Sequence, residues 1–280
     1  MPFNKQMLVV IDPQDREYLS LHRGQLIALR LQCAIKVLWL GDDEALPAQL
    51  VTQLEAEGIS ASYQCCPEKD LINTLKQLWQ TEGFGLLVKS CDPRQHSFRT
   101  SRDARILREL PCPVLLVKHD NSWHNSTVVA AADPFSDDSE RQLLNQGVLT
   151  LASEIAQQVS GQLHVAVACP SAMLAGDPEL QSEELIQQNA RKQMEVLLAL
   201  QNLSAADINV GEGPPEHWVP QVANQHQAAL VVIGTQARHG LKGALIGNTA
   251  ERILHRLDAD VLVLRKDASD QVVPVVQNAQ

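Results

Sequence analysis

Phe, Trp and Tyr together supply only 4% of this chain, so its interior has to be filled by Leu, Val, Ile and Ala. Long apolar runs are missing as well. Stretches such as Ala228–Gly234 are strand-sized and fall far short of the ~20 residues a membrane-crossing helix requires. Met1–Met7 leads into an apolar strand pattern with no signal-peptide layout. The expectation is a cytoplasmic protein with no membrane partner. Basic residues are outnumbered, 23 against 33 acidic, for a net charge of −10. Nucleic-acid binding rests on neutralising phosphates, so no nucleic-acid partner is expected. The six cysteines (Cys33, Cys65, Cys66, Cys91, Cys112, Cys169) show no CxxC spacing and no histidine at zinc-site distance. They read as buried thiols in a reducing compartment, since the adjacent Cys65 and Cys66 would join only with strain. The nine histidines are scattered with no HExxH among them, and no metal site is expected. A nucleophile elbow is also absent, and no catalytic residue is assigned.

What the chain does contain is a repeat. Met7-Leu-Val-Val-Ile-Asp-Pro13 recurs as Val128-Val-Ala-Ala-Ala-Asp-Pro134. Leu86-Leu-Val-Lys-Ser90 recurs as Leu230-Val-Val-Ile-Gly234. Arg105-Ile-Leu-Arg-Glu-Leu110 with Val114–Lys118 recurs as Arg252-Ile-Leu-His-Arg-Leu257 with Val261–Arg265. Three blocks in the same order mark a duplication.

Each copy alternates short apolar runs with longer amphipathic stretches, the pattern of βαβ units around a parallel sheet. Leu144, Val148, Leu151, Ile155 and Val159 step at helical spacing and put one apolar stripe on one helix face. The spacing predicts strands near 7–12, 34–40, 60–65, 85–90 and 113–118 in the first copy. In the second it predicts them near 127–132, 163–169, 207–211, 229–234 and 260–265. The fold class is therefore α/β, with two tandem, doubly wound, five-stranded parallel-sheet domains of Rossmann-like strand order 3-2-1-4-5. The domains are expected at 1–120 and 127–266, joined by a polar linker at 121–126 and followed by a tail at 267–280.

The chemically informative stretch is Gly234-Thr-Gln-Ala-Arg-His-Gly-Leu-Lys-Gly-Ala-Leu-Ile-Gly-Asn-Thr-Ala-Glu251, between a strand and a helix. Glycines at Gly234 and Gly247 leave room for a phosphate to approach the backbone. The N–H groups at the following helix start favour an anion. Neither a Walker A loop nor GxGxxG is present. A structural reading stands beside this one: Asn248 and Glu251 are spaced close to a capping box, in which case Gly247 and Asn248 only begin a helix. Ala237 would resist a left-handed backbone. The corresponding loop of the first copy is three residues shorter, and Lys89–Thr100 contains no glycine, so that copy reads as a degenerate partner. The connection Cys169–Pro178 reads equally as a cover over a pocket or as a surface loop.

These residues resemble the universal stress protein family, whose ATP-binding members carry Gly-x2-Gly-x9-Gly-Ser/Thr after the fourth strand and an Asp ending the first. Asp133, Gly234 and Gly247 match that pattern, whereas Ala237 replaces the second glycine and Asn248 the Ser/Thr, with Thr249 directly after. The run Gly-Asn-Thr-Ala-Glu and the tandem layout are most similar to the E-type tandem members of bacteria. The resemblance implies a stress-response binding protein that requires no cofactor, with ATP or another nucleotide as a possible ligand of the second copy only. Its site would comprise Asp133 toward a base or polar head, Val167 and Ile233 as apolar walls, and Gly234, Ala237, Gly247, Asn248 and Thr249 around the anionic end. It also implies packing through the last strands, Val114–Lys118 and Val261–Arg265, either between two chains as a homodimer or within one as a pseudo-dimer. A weak ATPase or nucleotide-transfer enzyme, and a ligand-free interaction module, are the alternatives.

Overall fold

The structure, a computed structural model, describes residues 6–15, 17–91, 101–170, 182–235, 238–240, 243–245 and 248–265; at 238–240, 243–245 and 248 it describes the backbone alone. The chain divides into two compact units, Met1–Asp120 with His239–Leu245, and Asn121–Arg238 with Ile246–Gln280.

In the first unit, strands β1 (Gln6–Ile11), β2 (Ala34–Leu40), β3 (Ala61–Cys66), β4 (Leu86–Ser90) and β5 (Val114–Val117) alternate with helices. Those helices are α1 (Leu19–Leu31), α2 (Ala45–Ala56), α3 (Leu71–Thr81) and α4 (Arg102–Glu109). The strands run parallel in the order β3-β2-β1-β4-β5. β1 is apolar after Gln6 and buried almost throughout, and β4 is buried throughout although it ends in Lys89 and Ser90, as expected of strands covered by helices on both faces. β3, at the outer position, is only partly buried.

The second unit repeats the plan with β6 (Thr127–Ala131), α5 (Ser139–Gln158), β7 (Gln162–Cys169), α6 (Glu183–Leu200) and β8 (Asp207–Glu212). It continues through α7 (Pro215–Gln225) and β9 (Leu230–Thr235); the chain then forms the two-stranded β10 (Arg238–Gly240) and β11 (Gly243–Leu245), which beyond Arg238 group with the first unit, and the second unit resumes with α8 (Asn248–Arg256) and β12 (Asp260–Arg265). Its main strands are parallel, ordered β8-β7-β6-β9-β12. Taken by position in the repeat, that is again 3-2-1-4-5. The β10–β11 pair has no counterpart in the sequence reading, because two three-residue strands in a glycine-rich loop carry no periodicity.

Helix α5 begins at an N-cap, Asp138, whose carboxylate accepts the Glu140 N–H at 2.9 Å, which supplies one of the orphan donors of the first turn. Its expected stripe is buried at Leu144, Val148, Leu151 and Ile155. The helix ends at Gln158, so Val159 lies just beyond it and is half-buried. Pro214 and Pro215 open α7, with Pro215 in the first turn, where its missing N–H costs nothing.

The segment read as a linker is docked on the second unit. Trp123 donates its indole N–H to Oδ2 of the buried Asp260 at 3.0 Å. The Asn125 N–H reaches the carbonyl of Val159 at 2.8 Å. A polar composition does not reveal such a segment's partners, which lie far along the chain. The tail at 267–280 lies outside the described residues. Among the described residues no helix is long and apolar enough to cross a membrane.

Candidate functional site

In a doubly wound sheet the carboxyl ends of the strands present backbone and side chains to a ligand. In the second unit this edge is formed by the ends of β6, β7 and β9. Leaving β6, the chain turns at Asp133, whose Oδ1 accepts the Phe135 N–H at 3.0 Å. The turn is gripped by Asn145 of α5, which no motif pointed to. Its Oδ1 accepts the Asp133 N–H at 3.2 Å and its Nδ2 donates to the Asp133 carbonyl at 2.6 Å. Asp133 itself is exposed and makes no ion pair among the described residues.

At the end of β7, Cys169 is buried, and its thiol is pushed up to about 11, first by burial and then by the charge of Asp133. The thiol stays protonated at neutral pH and is no nucleophile. All six cysteines are free, but Cys65 and Cys91 are only half-buried, against the expectation of buried thiols.

Val167 and Ile233 are fully buried core residues of β7 and β9. At Gly234 the space a side chain would fill is taken by Leu144 of α5, whose Cγ would stand 2.8 Å from an added Cβ. The close approach of α5 thus fills the space on the Cβ side of Gly234. The same approach brings Asn145, the next residue, against the Asp133 turn. Beside Gly234, the Thr235 hydroxyl is buried and has no hydrogen-bond partner among the described residues. Such an orphan normally has an explanation in a water or a ligand.

Helix α8 begins at Asn248, with Thr249 exposed and Ala250, Ile253 and Leu254 buried. It is held against α7 by charge. Glu216, buried, accepts a hydrogen bond from Arg252 at 2.7 Å, and Arg256 donates to the Glu216 carbonyl at 3.1 Å. Burial pushes the Glu216 carboxyl up, but the Arg252 hydrogen bond, its own backbone and the charges of Arg252 and His217 outweigh it and hold it low. Ala237, Gly247 and the Asn248 side chain lie outside the described residues, as does most of the Cys169–Pro178 connection.

The first unit shows what the same edge looks like when closed. Asp12 makes the same turn, accepting the Gln14 N–H at 3.0 Å, but its Oδ2 pairs with Arg102 at 2.8 Å. Arg102 also reaches Glu68 at 3.2 Å. Beneath it Lys89 and Asp103, both almost fully buried, form an ion pair at 2.8 Å, and Lys89 donates to the Ser90 carbonyl at 2.6 Å. By the repeat, Arg102 and Lys89 stand where the second unit has Thr249 and Ile233. Two cations thus occupy positions that are small or apolar in the other copy.

The sequence profile of the Universal stress protein family matches residues 124–265. The chain belongs to the universal stress protein family. It is 31% identical to Universal stress protein E of Photorhabdus laumondii, over 94% of this chain and 95% of that one. Among solved structures it is similar to a functionally unknown protein from Pseudomonas aeruginosa PAO1, with 34% identity, a TM-score of 0.82 and coverage of 97% and 96% of the two chains. A universal stress protein from Archaeoglobus fulgidus shares the fold at 16% identity and a TM-score of 0.64, over 93% and 98%. The profile thus covers most of the second unit, whose sheet edge carries no ion pair on its aspartate among the described residues. The first unit keeps the strand order and carries ion pairs at the corresponding edge.

Proposed function

We propose that this universal stress protein acts in the stress response by binding and that its second unit holds a nucleotide or a similar phosphate-bearing small molecule at the carboxyl ends of β6, β7 and β9. The observation that carries the reading is the contrast between two equivalent aspartates. Asp12 is neutralised by Arg102 at 2.8 Å, whereas Asp133 is exposed, has its backbone fixed by Asn145, and pairs with no cation among the described residues. A preorganised carboxylate of this kind suits hydrogen bonding to a ribose or a base amine, and the start of α8 suits the anionic end. The orphaned Thr235 hydroxyl adds a polar group at the same edge.

The reading is one of binding without turnover. The buried thiol of Cys169 is held protonated, and Asp133 is the group assigned to orientation. The location is taken as the cytoplasm, and packing through Val114–Lys118 and Val261–Arg265, between two chains or within one, belongs to the same proposal; light scattering on the purified protein separates the two.

Native mass spectrometry of freshly purified protein, followed by calorimetric titration with ATP, ADP and AMP, tests the site. One nucleotide per chain is expected, weakened tenfold or more by Asp133→Ala, the loss typical of a hydrogen bond to a charged group. Binding that ignores Asp133→Ala but is lost in Arg102→Ala would move the site to the first unit. An empty protein that takes up no nucleotide would leave an interaction module. Multiple ATP turnovers that vanish in Asp133→Ala would make it an enzyme.

A further inference from the structure

The opposite edge of the second unit's sheet gathers a separate set of groups. His164 lies near the start of β7 and is paired in register with Asp207, the first residue of β8. His226 directly follows the last turn of α7. The two imidazole rings stack with centroids 4.0 Å apart at 37°. One ring nitrogen from each histidine and one carboxylate oxygen of Asp207 lie within 4.8 Å of one another. His164 is 7% exposed, and its Nδ1 has no hydrogen-bond partner among the described residues.

We propose that His164, His226 and Asp207 bind a divalent transition-metal ion of the zinc class. Two imidazoles and one carboxylate are the donor set of an open zinc site, completed by water. Calcium and magnesium, which take oxygen donors, are poorly served by it. Tetrahedral bonds of about 2.1 Å place donor atoms about 3.4 Å apart, so the cluster needs only a modest contraction. Asp207, with its side chain 47% exposed, has the freedom to make it.

The shell around the cluster has the organisation of a metal site. The ring nitrogen Nε2 of His226 lies 2.9 Å from Oδ1 of the buried Asn209. Asn209 donates its Nδ2 to the Val165 carbonyl at 3.4 Å, which leaves Oδ1 as an acceptor. The proton of His226 is then held on Nε2, and Nδ1 keeps its lone pair for a metal. A carbonyl oxygen accepting from the outer nitrogen of a histidine is the usual second layer of such sites. The Asn209 carbonyl is in turn bonded by the Trp218 indole at 3.1 Å.

The first unit supplies an internal comparison. By strand register, Lys36 of β2 stands where His164 stands, and Glu82 follows α3 as His226 follows α7. Lys36 and Glu82 form a direct ion pair, which satisfies both without a ligand. Two imidazoles cannot satisfy each other that way, since both carry the same kind of charge when protonated. A cation between them does.

Chelator-treated full-length protein titrated with zinc chloride tests the proposal. One equivalent is expected to bind, and His226→Gln and Asp207→Asn are each expected to weaken it at least tenfold. Arg191, which pairs with Asp207 at 3.4 Å, competes for the carboxylate, so Arg191→Ala should tighten binding; a purely structural cluster would show no such gain. Cobalt substitution should give the visible bands of a nitrogen and oxygen site of low coordination. Thiolate charge-transfer bands would instead assign the metal to the cysteines and overturn the proposal. So would the absence of zinc binding to the wild type, or binding unchanged in all the variants. Far-ultraviolet circular dichroism confirms that each variant is folded, and His164 is left intact because it is buried.

Discussion

A methyl group on Gly234 would stand 2.8 Å from Cγ of Leu144 and 2.9 Å from its Cδ2. Leu144 is buried on α5, and a branching carbon cannot move aside as the end of a flexible chain can. Gly234→Ala is therefore expected to lower stability by about 1–3 kcal/mol through overpacking. Leu144→Ala in the same chain should recover part of that loss, so the two changes are non-additive. Urea unfolding of the four variants of the cycle gives the coupling directly. Additive losses would show that Gly234 is kept for another reason, the approach of a ligand among them.

The Glu216–Arg252 contact makes the seating of α8 dependent on pH. The folded-state carboxyl of Glu216 is held below its ordinary range, by the Arg252 hydrogen bond against the opposing effect of burial. Its contribution is therefore complete above the ordinary glutamate range and is lost as pH falls through the lowered folded-state value. Arg252 is 63% exposed, so screening keeps the contribution to about 1 kcal/mol. Wild type and Glu216→Gln should differ by about that much near neutrality and converge in acid. Denaturation midpoints measured across pH read it; a gap that widens on acidification has the wrong sign for this account.

Cys169 should be the slow thiol. With its proton held up to about 11 by burial and then by Asp133, little thiolate is present at neutral pH. Half-buried Cys65 and Cys91 should alkylate first. Because burial is the larger cause, Asp133→Asn should speed labelling of Cys169 only modestly. Peptide mass spectrometry after timed iodoacetamide treatment over a range of pH provides the rates. Rapid labelling of Cys169 in the native protein at neutral pH would contradict its placement.

Much of the strand and helix layout could be read along the chain, since the apolar runs of β1, β4, β9 and β12 and the stripe on α5 are local patterns whose period the backbone imposes. The repeat was legible for the same reason: matched blocks carry matched burial. The repeat also matched Asp12 to Asp133, each ending a strand before a Pro. What it could not supply was the company those residues keep. Arg102 closes on Asp12 from 90 residues away, and Leu144 of helix α5 fills the space at Gly234 of strand β9. His164, Asp207 and His226 form a cluster with no spacing that a motif could capture. Strand order and register decide which distant side chains share an edge, and neither is written in any window of sequence. The sequence alone determined the elements, their duplication and the position of the turning aspartates. Only the tertiary structure decided that Arg102 neutralises one of them while the other is left open, because an ion pair depends on three-dimensional distance and not on separation along the chain.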